Sequence, residues 1–427
     1  GLAIGAGELV VWPIMTARFG AGIAWAAVLG LTLQLFINLE VCRYTLATGE
    51  STFGAFARLG RFWVPVFLLL TVAGWVLPGW ARTCAGALKA VTVGPGGPGE
   101  PWQWTALTFA AVAVVMFGPR NAYRSIERIT VALVAVMLAG LVLIALRLAT
   151  GPALLELGRG IVAVGHKPAE LPAYELFSAI VFAGAGGTAN LMLSYYIIKK
   201  GWGMAAVDEG GSGPYEIRDS VANRAHWTRW MRHVRRDQTI FFWGMNTLTI
   251  LLFILAALVV LHAGGIVPSR EMLLLEEAAI LGSVWGGLGA GLFMAVGIAC
   301  LFSTQLVLLD GVARSCADLL STNYAWARKL GERNCYRRTA LAWMLVGTAL
   351  TWAWSSLPPF VFLLSAGFFG GIAMACYCPL LLVANRRLLP SACRPGVLSQ
   401  ALMLAVSLFY LSFAAVSVWV AGTKLLA

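Results

Sequence analysis

Phe182-Ala183-Gly184-Ala185-Gly186-Gly187-Thr188-Ala189-Asn190-Leu191-Met192-Leu193 places a run of small residues in the middle of an apolar segment, followed at once by a threonine and an asparagine. Glycine costs about 1 kcal/mol per residue in a helix, so such a run weakens the helical ladder locally. The N-terminal stretch repeats the arrangement: Gly1-Leu2-Ala3-Ile4-Gly5-Ala6-Gly7 leads directly into Glu8-Leu9-Val10-Val11. Bare backbone at membrane depth is tolerated only where it lines a cavity or is buried in protein. A pair of interrupted helices in corresponding positions of two halves is the sequence mark of a transporter site. The bland alternative is that small residues serve close helix packing. That reading is given to Gly286, Gly287, Gly289 and Gly291, whereas the polar residues behind the first two glycine runs favour interruption there.

The rest of the chain supports a membrane setting. Only 12% of its 427 residues are charged and 59% are hydrophobic, with a mean hydropathy of +0.80. Soluble domains carry roughly 25% charged residues. A span needs roughly 20 mainly apolar residues, and eleven candidates follow, at about 1–20, 22–47, 62–89, 103–118, 128–148, 173–198, 238–262, 283–313, 338–356, 359–383 and 397–422. The interrupted segments open the first and sixth, so the chain divides as five plus five plus one. We expect one transmembrane domain over 1–427, with repeat one at 1–150, repeat two at 171–385 and an extra helix at 396–423. A helix beginning at Gly1 would be short, so residues are expected before it, and no cleavable signal peptide is expected.

The net charge of +12 follows the loops. Arg58 and Arg61, Arg120 to Arg128, Lys199 to Arg236, Arg314 to Arg338, and Arg386 to Arg394 all fall on one side. The other side holds little beyond Arg18, Lys89, Arg159, Lys167 and Arg270. This positive-inside bias predicts a multi-pass protein of the plasma (inner) membrane with a cytoplasmic N-terminus, and it explains the basicity without nucleic acid as a partner. The polar stretch from Gly201 to Asp237 reads as a cytoplasmic loop ending in an interfacial segment around Trp227, Arg229 and Trp230. The eight cysteines read as buried small hydrophobes, and Cys376-x-Cys378 within an apolar helix is not a zinc pattern.

Few residues could carry chemistry. Glu40 has Arg43 one turn along and Asp310 has Arg314 four residues on, which makes both structural pairs. Glu8 has no basic residue at helical spacing in its segment, and an acid in mid-membrane marks a pathway. Glu8, Thr188 and Asn190 offer carboxylate, hydroxyl and amide oxygens, and opened backbone adds carbonyls. These are hard ligands, suited to magnesium, calcium or manganese. Ala185, Ala189, Gly5 and Gly187 leave room for a partly hydrated ion. The four histidines lie in loops or at a span end, span three holds no acid, and no nucleophile elbow or phosphate loop occurs, so neither a proton relay nor an enzyme is expected.

Gly5-Ala6-Gly7-Glu8-Leu9 through Ala17-Arg18-Phe19-Gly20 resembles the first helix of the Nramp family of divalent-metal transporters, whose motif there is Asp-Pro-Gly-Asn. Ala47-Thr48-Gly49 matches the end of the family's second helix. Gly184 to Asn190 aligns without gaps on Gly-Ala-Thr-Val-Met-Pro-His of its sixth, and segments 292–304 and 364–389 are similar to its eighth and tenth. The resemblance implies an all-α polytopic membrane protein of LeuT-type fold, with two inverted five-helix repeats and an eleventh helix. On it the family's metal-binding aspartate falls on Gly5, its asparagine on Glu8, its methionine on Thr188, its histidine on Asn190 and a helix-ten glutamine on Ala366. Loss of the methionine removes the one soft ligand. The pattern is similar to the Nramp-related magnesium transporters and implies a site of Glu8, Gly5, Thr188, Ala185, Asn190 and Leu2. The expected substrate is magnesium, with manganese beside it, carried by alternating access without proton coupling and without a cofactor. The alternative is an amino-acid carrier of the same fold, against which Glu8 argues, because it would repel a substrate carboxylate.

Overall fold

Pro13 shapes the first span. It has no N–H to offer the carbonyl four residues back, and the chain before it widens into a π-helical turn, Gly7–Val11, ahead of helix α1 (Trp12–Phe19). The computed structural model describes residues 7–118, 120–204, 221–269 and 272–426, and among these there is no β-strand. Leu2 and Gly5 of the expected site lie outside the described residues, as does the tract 205–220 of the long polar loop.

Helix α2 (Ala24–Thr48) ends at Gly49 in the left-handed region, φ 70°. A short helix α3 (Thr52–Leu59) follows, its first turn capped by Ser51 Oγ, which accepts from the Gly54 N–H at 3.2 Å. The third span is divided at 76–78 into α4 (Trp63–Trp75) and α5 (Gly79–Thr92), because Pro78 cannot continue the ladder. Helices α6 (Pro101–Phe117) and α7 (Arg120–Leu148) follow. A connecting helix α8 (Gly151–Val162) leads to the two halves of the sixth span, α9 (Ala173–Val181) and α10 (Ala189–Lys200).

The basic stretch expected to lie apart on the membrane surface instead runs into the seventh span. α11 (Val221–Asp237) continues without a break through the π turn Gln238–Met245 into α12 (Asn246–Ala257) and a second π turn, Leu258–His262. Then come α13 (Leu273–Glu277), α14 (Ala279–Asn323), α15 (Ala325–Leu330), α16 (Glu332–Ala353), α17 (Pro359–Arg387) and α18 (Val397–Leu426). The assignment of the α14 glycines to close packing holds at Gly289, whose Cβ would meet the Leu281 carbonyl, and is corrected by the backbone at the other three. Gly286 adopts φ 59° and ψ −139°, so the helix turns sharply there, and a Cβ on Gly286, Gly287 or Gly291 would meet open space. Only glycine reaches this conformation without strain.

Among the described residues, seven helical stretches are long and apolar enough to cross a membrane. Of the other expected spans, the described part of the first runs unbroken from Gly7 to Phe19, the sixth is broken, the fourth is the shorter apolar helix Pro101–Phe117, and the ninth, Glu332–Ala353, starts among arginines. The chain is thus an all-α polytopic membrane protein with two inverted five-helix repeats and an eleventh helix. Within a bilayer, helices associate through close van der Waals packing at small residues. A Cβ on Gly30 would lie 2.3 Å from the Ile180 carbonyl oxygen, which packs α2 backbone to backbone against α9. One apolar core gathers α1, α5, α12 and α14 around Trp12, Phe253 and Phe293, and a second joins α2, α17 and α18 around Tyr44, Tyr377 and Tyr410. Glu40 pairs with Arg43 at 3.1 Å and Asp310 with Arg314 at 2.9 Å, as their spacing predicts. Arg18 also pairs with buried Glu175 at 3.2 Å, joining the first span to the sixth.

Candidate functional site

The sixth span opens because glycine takes dihedrals that helix cannot use. Beyond Val181, Gly186 and Gly187 adopt φ +66° and +50°, and α10 restarts at Ala189. The opened backbone is met by side chains from three other helices. Gln34 of α2 donates from Nε2 to the Val181 carbonyl and accepts the Gly186 N–H at Oε1, each at 2.9 Å. The Tyr377 hydroxyl of α17 donates to the Gly187 carbonyl at 3.0 Å. Trp75, the last residue of α4, donates its indole N–H to Thr188 Oγ1 at 2.9 Å. Gly370 of α17 lies directly against Gly187, where a Cβ would come within 3.0 Å of the Gly370 Cα.

The first span reaches the same place. A Cβ on Gly7 would sit 2.0 Å from the Phe182 carbonyl oxygen, so the π turn and the end of α9 touch through bare backbone. Glu8 is the next residue, 4% exposed, on the side of Cys300 of α14. Thr188 is buried, and Ala185 is half-buried in the opened stretch. Asn190 is 1% exposed; its amide neighbours the Tyr377 hydroxyl, yet neither end closes a hydrogen bond. The π turn of the first span and the opened sixth span therefore meet, with Glu8 on the α14 side and Thr188 and Asn190 on the side of α4 and α17.

Chemically this is a hard-oxygen environment. The Thr188 hydroxyl accepts one N–H and keeps a second lone pair, and Asn190 keeps its amide oxygen. Among the described residues no three histidine, cysteine, aspartate or glutamate side chains converge. A cation here would take one carboxylate together with hydroxyl, amide and backbone oxygens, the mixed set that hard divalent ions accept.

Three contributors escaped the sequence reading. Gln34 carries its own signal, a glutamine in mid-span, where polar side chains are costly and functional. Trp75 carries none, because tryptophan in a span reads as packing. Gln305 of α14 lines a cavity of about 30 Å³ with Trp75, Trp80 and Trp343, and both ends of its buried amide lack a hydrogen bond. A water needs about 10–15 Å³ of such volume, so the cavity has room for one or two waters.

No protein-family model matches the sequence, and no curated protein matches it either. Solved structures do. The chain is similar to a mutant of the manganese transporter of Eremococcus coleocola, with a TM-score of 0.65 at 13% identity, over 97% of this chain and 84% of that one. It is similar to the same transporter in complex with an aromatic bis-isothiourea compound, with a TM-score of 0.60 at 13% identity, over 96% and 83%. It is also similar to a transporter of the nucleobase-cation-symport-1 family, closed with bromovinylhydantoin bound, with a TM-score of 0.57 at 18% identity, over 99% and 91%. What these relatives share with the present chain at such identities is architecture, and the chain has the LeuT-type fold of membrane transporters.

Proposed function

We propose that the chain is a divalent-cation transporter that carries magnesium, and manganese beside it, by alternating access, with Glu8 as the central ligand. The observation that carries this reading is the contact of Gly7 with the Phe182 carbonyl, which sets the buried Glu8 turn on the opened sixth span. Thr188, Asn190 and Ala185 complete the site from the described residues, with Leu2 and Gly5 as further members on the N-terminal side. The neighbouring manganese transporter supports a divalent metal as cargo. The absence of a sulfur ligand at Thr188 favours magnesium and manganese over softer ions. Membrane potential supplies roughly 4–5 kcal/mol per 100 mV for a doubly charged ion, so no proton gradient is needed. The loop charges favour a cytoplasmic N-terminus in the plasma membrane.

The nucleobase-cation-symport-1 neighbour favours a second reading, a carrier of a small organic solute. The negative charge of Glu8 weighs against an amino acid in particular, because it would repel the substrate carboxylate. Reconstitution into liposomes with an internal magnesium indicator decides between them. Magnesium influx above that of empty liposomes, abolished by Glu8→Gln and unaccompanied by a pH change, is expected. No magnesium flux in the wild type would overturn the proposal, and acidification tracking metal entry would overturn the uncoupled mechanism. Thr188→Met alone should not confer transition-metal selectivity, because Gly5 still lacks a carboxylate.

A further inference from the structure

The connection between the seventh and eighth spans returns to the π turn of the first. Helix α13 and residues 279–285 fold back on the rest of α14 at Gly286, closely enough that a Cβ on Gly289 would lie 2.1 Å from the Leu281 carbonyl oxygen. This hairpin packs on the π turn Gly7–Val11, on α1 and on α5. Leu274 fills the notch at Gly297, beside Leu9. Gly297 lies one helical turn before Cys300, which neighbours Glu8.

The hairpin holds two adjacent acids with opposite fates. Glu276 is bound locally, accepting from the backbone N–H and the hydroxyl of Ser269. Glu277 is fully buried, and neither of its carboxylate oxygens has a hydrogen bond. The basic groups on the elements that pack against it are engaged elsewhere. Arg18 pairs with Glu175 at 3.2 Å, Arg82 donates to the carbonyls of Trp354 and Ser355, and Lys89 donates to Gly99 at 2.9 Å. A buried carboxylate without a partner costs several kcal/mol unless a cation or a proton joins it, and an apolar residue would pack there at no such cost.

We propose that Glu277 is a second divalent-cation ligand, a station between the outer end of the pathway and Glu8. It rests on the reading of the chain as a divalent-cation transporter, and the hairpin faces outward in the topology proposed above. Two stations, each with one carboxylate, would let an arriving ion shed water in stages, since magnesium dehydrates reluctantly.

Manganese(II) tests this directly, because the free ion is counted by its electron paramagnetic resonance signal. Purified wild type should bind two ions, Glu8→Gln one, and Glu8→Gln/Glu277→Gln none, while Glu277→Asp keeps two. In liposomes Glu277→Gln should raise the KM for manganese added on the hairpin side about tenfold, with kcat within about twofold. A Glu8→Gln protein that binds no manganese overturns the proposal, without requiring any Glu277 variant to fold. So does a Glu277→Gln protein with wild-type stoichiometry and KM, which would make Glu277 a buried neutral acid. A wild type that neither binds nor carries manganese or magnesium overturns the transport reading as well, so the two failures are distinct.

Discussion

Trp75 donates its indole N–H to Thr188 Oγ1 at 2.9 Å, tying the interruption of the third span to that of the sixth. Trp343 in turn donates to the Trp75 carbonyl at 3.2 Å, so α16 holds the tryptophan whose own N–H orients the threonine. Thr188 stands where the helix restarts, with one lone pair used and the other available. A ligand oxygen positioned in this way reaches an ion with little rotamer entropy left to lose.

Trp75→Phe keeps an aromatic ring and removes the donor. One buried hydrogen bond is worth about 0.5–1.5 kcal/mol. The KM for magnesium uptake is therefore expected to rise about two- to tenfold, with thermal unfolding in detergent nearly unchanged. Thr188→Val should produce a similar rise. If the two residues act through this bond, the double variant should fall well short of the summed effects. Full additivity would show that Trp75 matters only for packing.

Gln34 predicts a different signature, in stability. Gln34→Leu leaves the Val181 carbonyl and the Gly186 N–H buried without the side chain that now meets both. Each orphaned group costs about 1–3 kcal/mol. The melting temperature in detergent should drop by several degrees, and Gln34→Glu, which keeps the acceptor for Gly186 but not the donor for Val181, should fall between. A melting temperature unchanged by Gln34→Leu would mean that the opened backbone finds other partners.

How far the sequence could lead is clear from these residues. The opening of the sixth span was legible because the glycines that make it stand next to Thr188 and Asn190, and polarity at membrane depth is rare. The Glu40 and Asp310 pairs were legible because helical spacing alone sets them. Trp75 and Glu277 were not, since their roles depend on which helix arrives beside them. Gly286, Gly287 and Gly291 of α14 were misread for a related reason. Close packing and a left-handed turn call for the same residue, and only the backbone at Gly286, φ 59°, tells them apart.

Two glycines separate these uses by experiment. Gly187 combines φ +50° with the close approach of Gly370. Alanine there should cost about 1–2 kcal/mol from the left-handed backbone alone, and more from the contact. Gly291 lies in regular helix with open space around it, so Gly291→Ala should be neutral or stabilise by up to about 1 kcal/mol. Thermal unfolding of both variants checks the sign of each, and a destabilising Gly291→Ala would return that glycine to helix packing.

The buried Glu40 cluster sets the last expectation. Its carboxylate accepts from Arg43 Nε at 3.1 Å, Asn385 Nδ2 at 2.8 Å and the Ser399 hydroxyl at 2.6 Å, which joins α2 to α17 and to the start of α18. Arg43 also donates to the Cys393 carbonyl at 3.2 Å and is 5% exposed. Glu40→Ala strands that guanidinium, and breaking a buried pair from one side costs about 3–5 kcal/mol. Replacing both partners, as in Glu40→Leu/Arg43→Leu, removes the stranded charge and should recover much of the loss. Unfolding at low and high salt is the informative measurement. A pair shielded from solvent should show little salt dependence, and a double variant no better than Glu40→Ala would assign the stability to the Asn385 and Ser399 bonds instead.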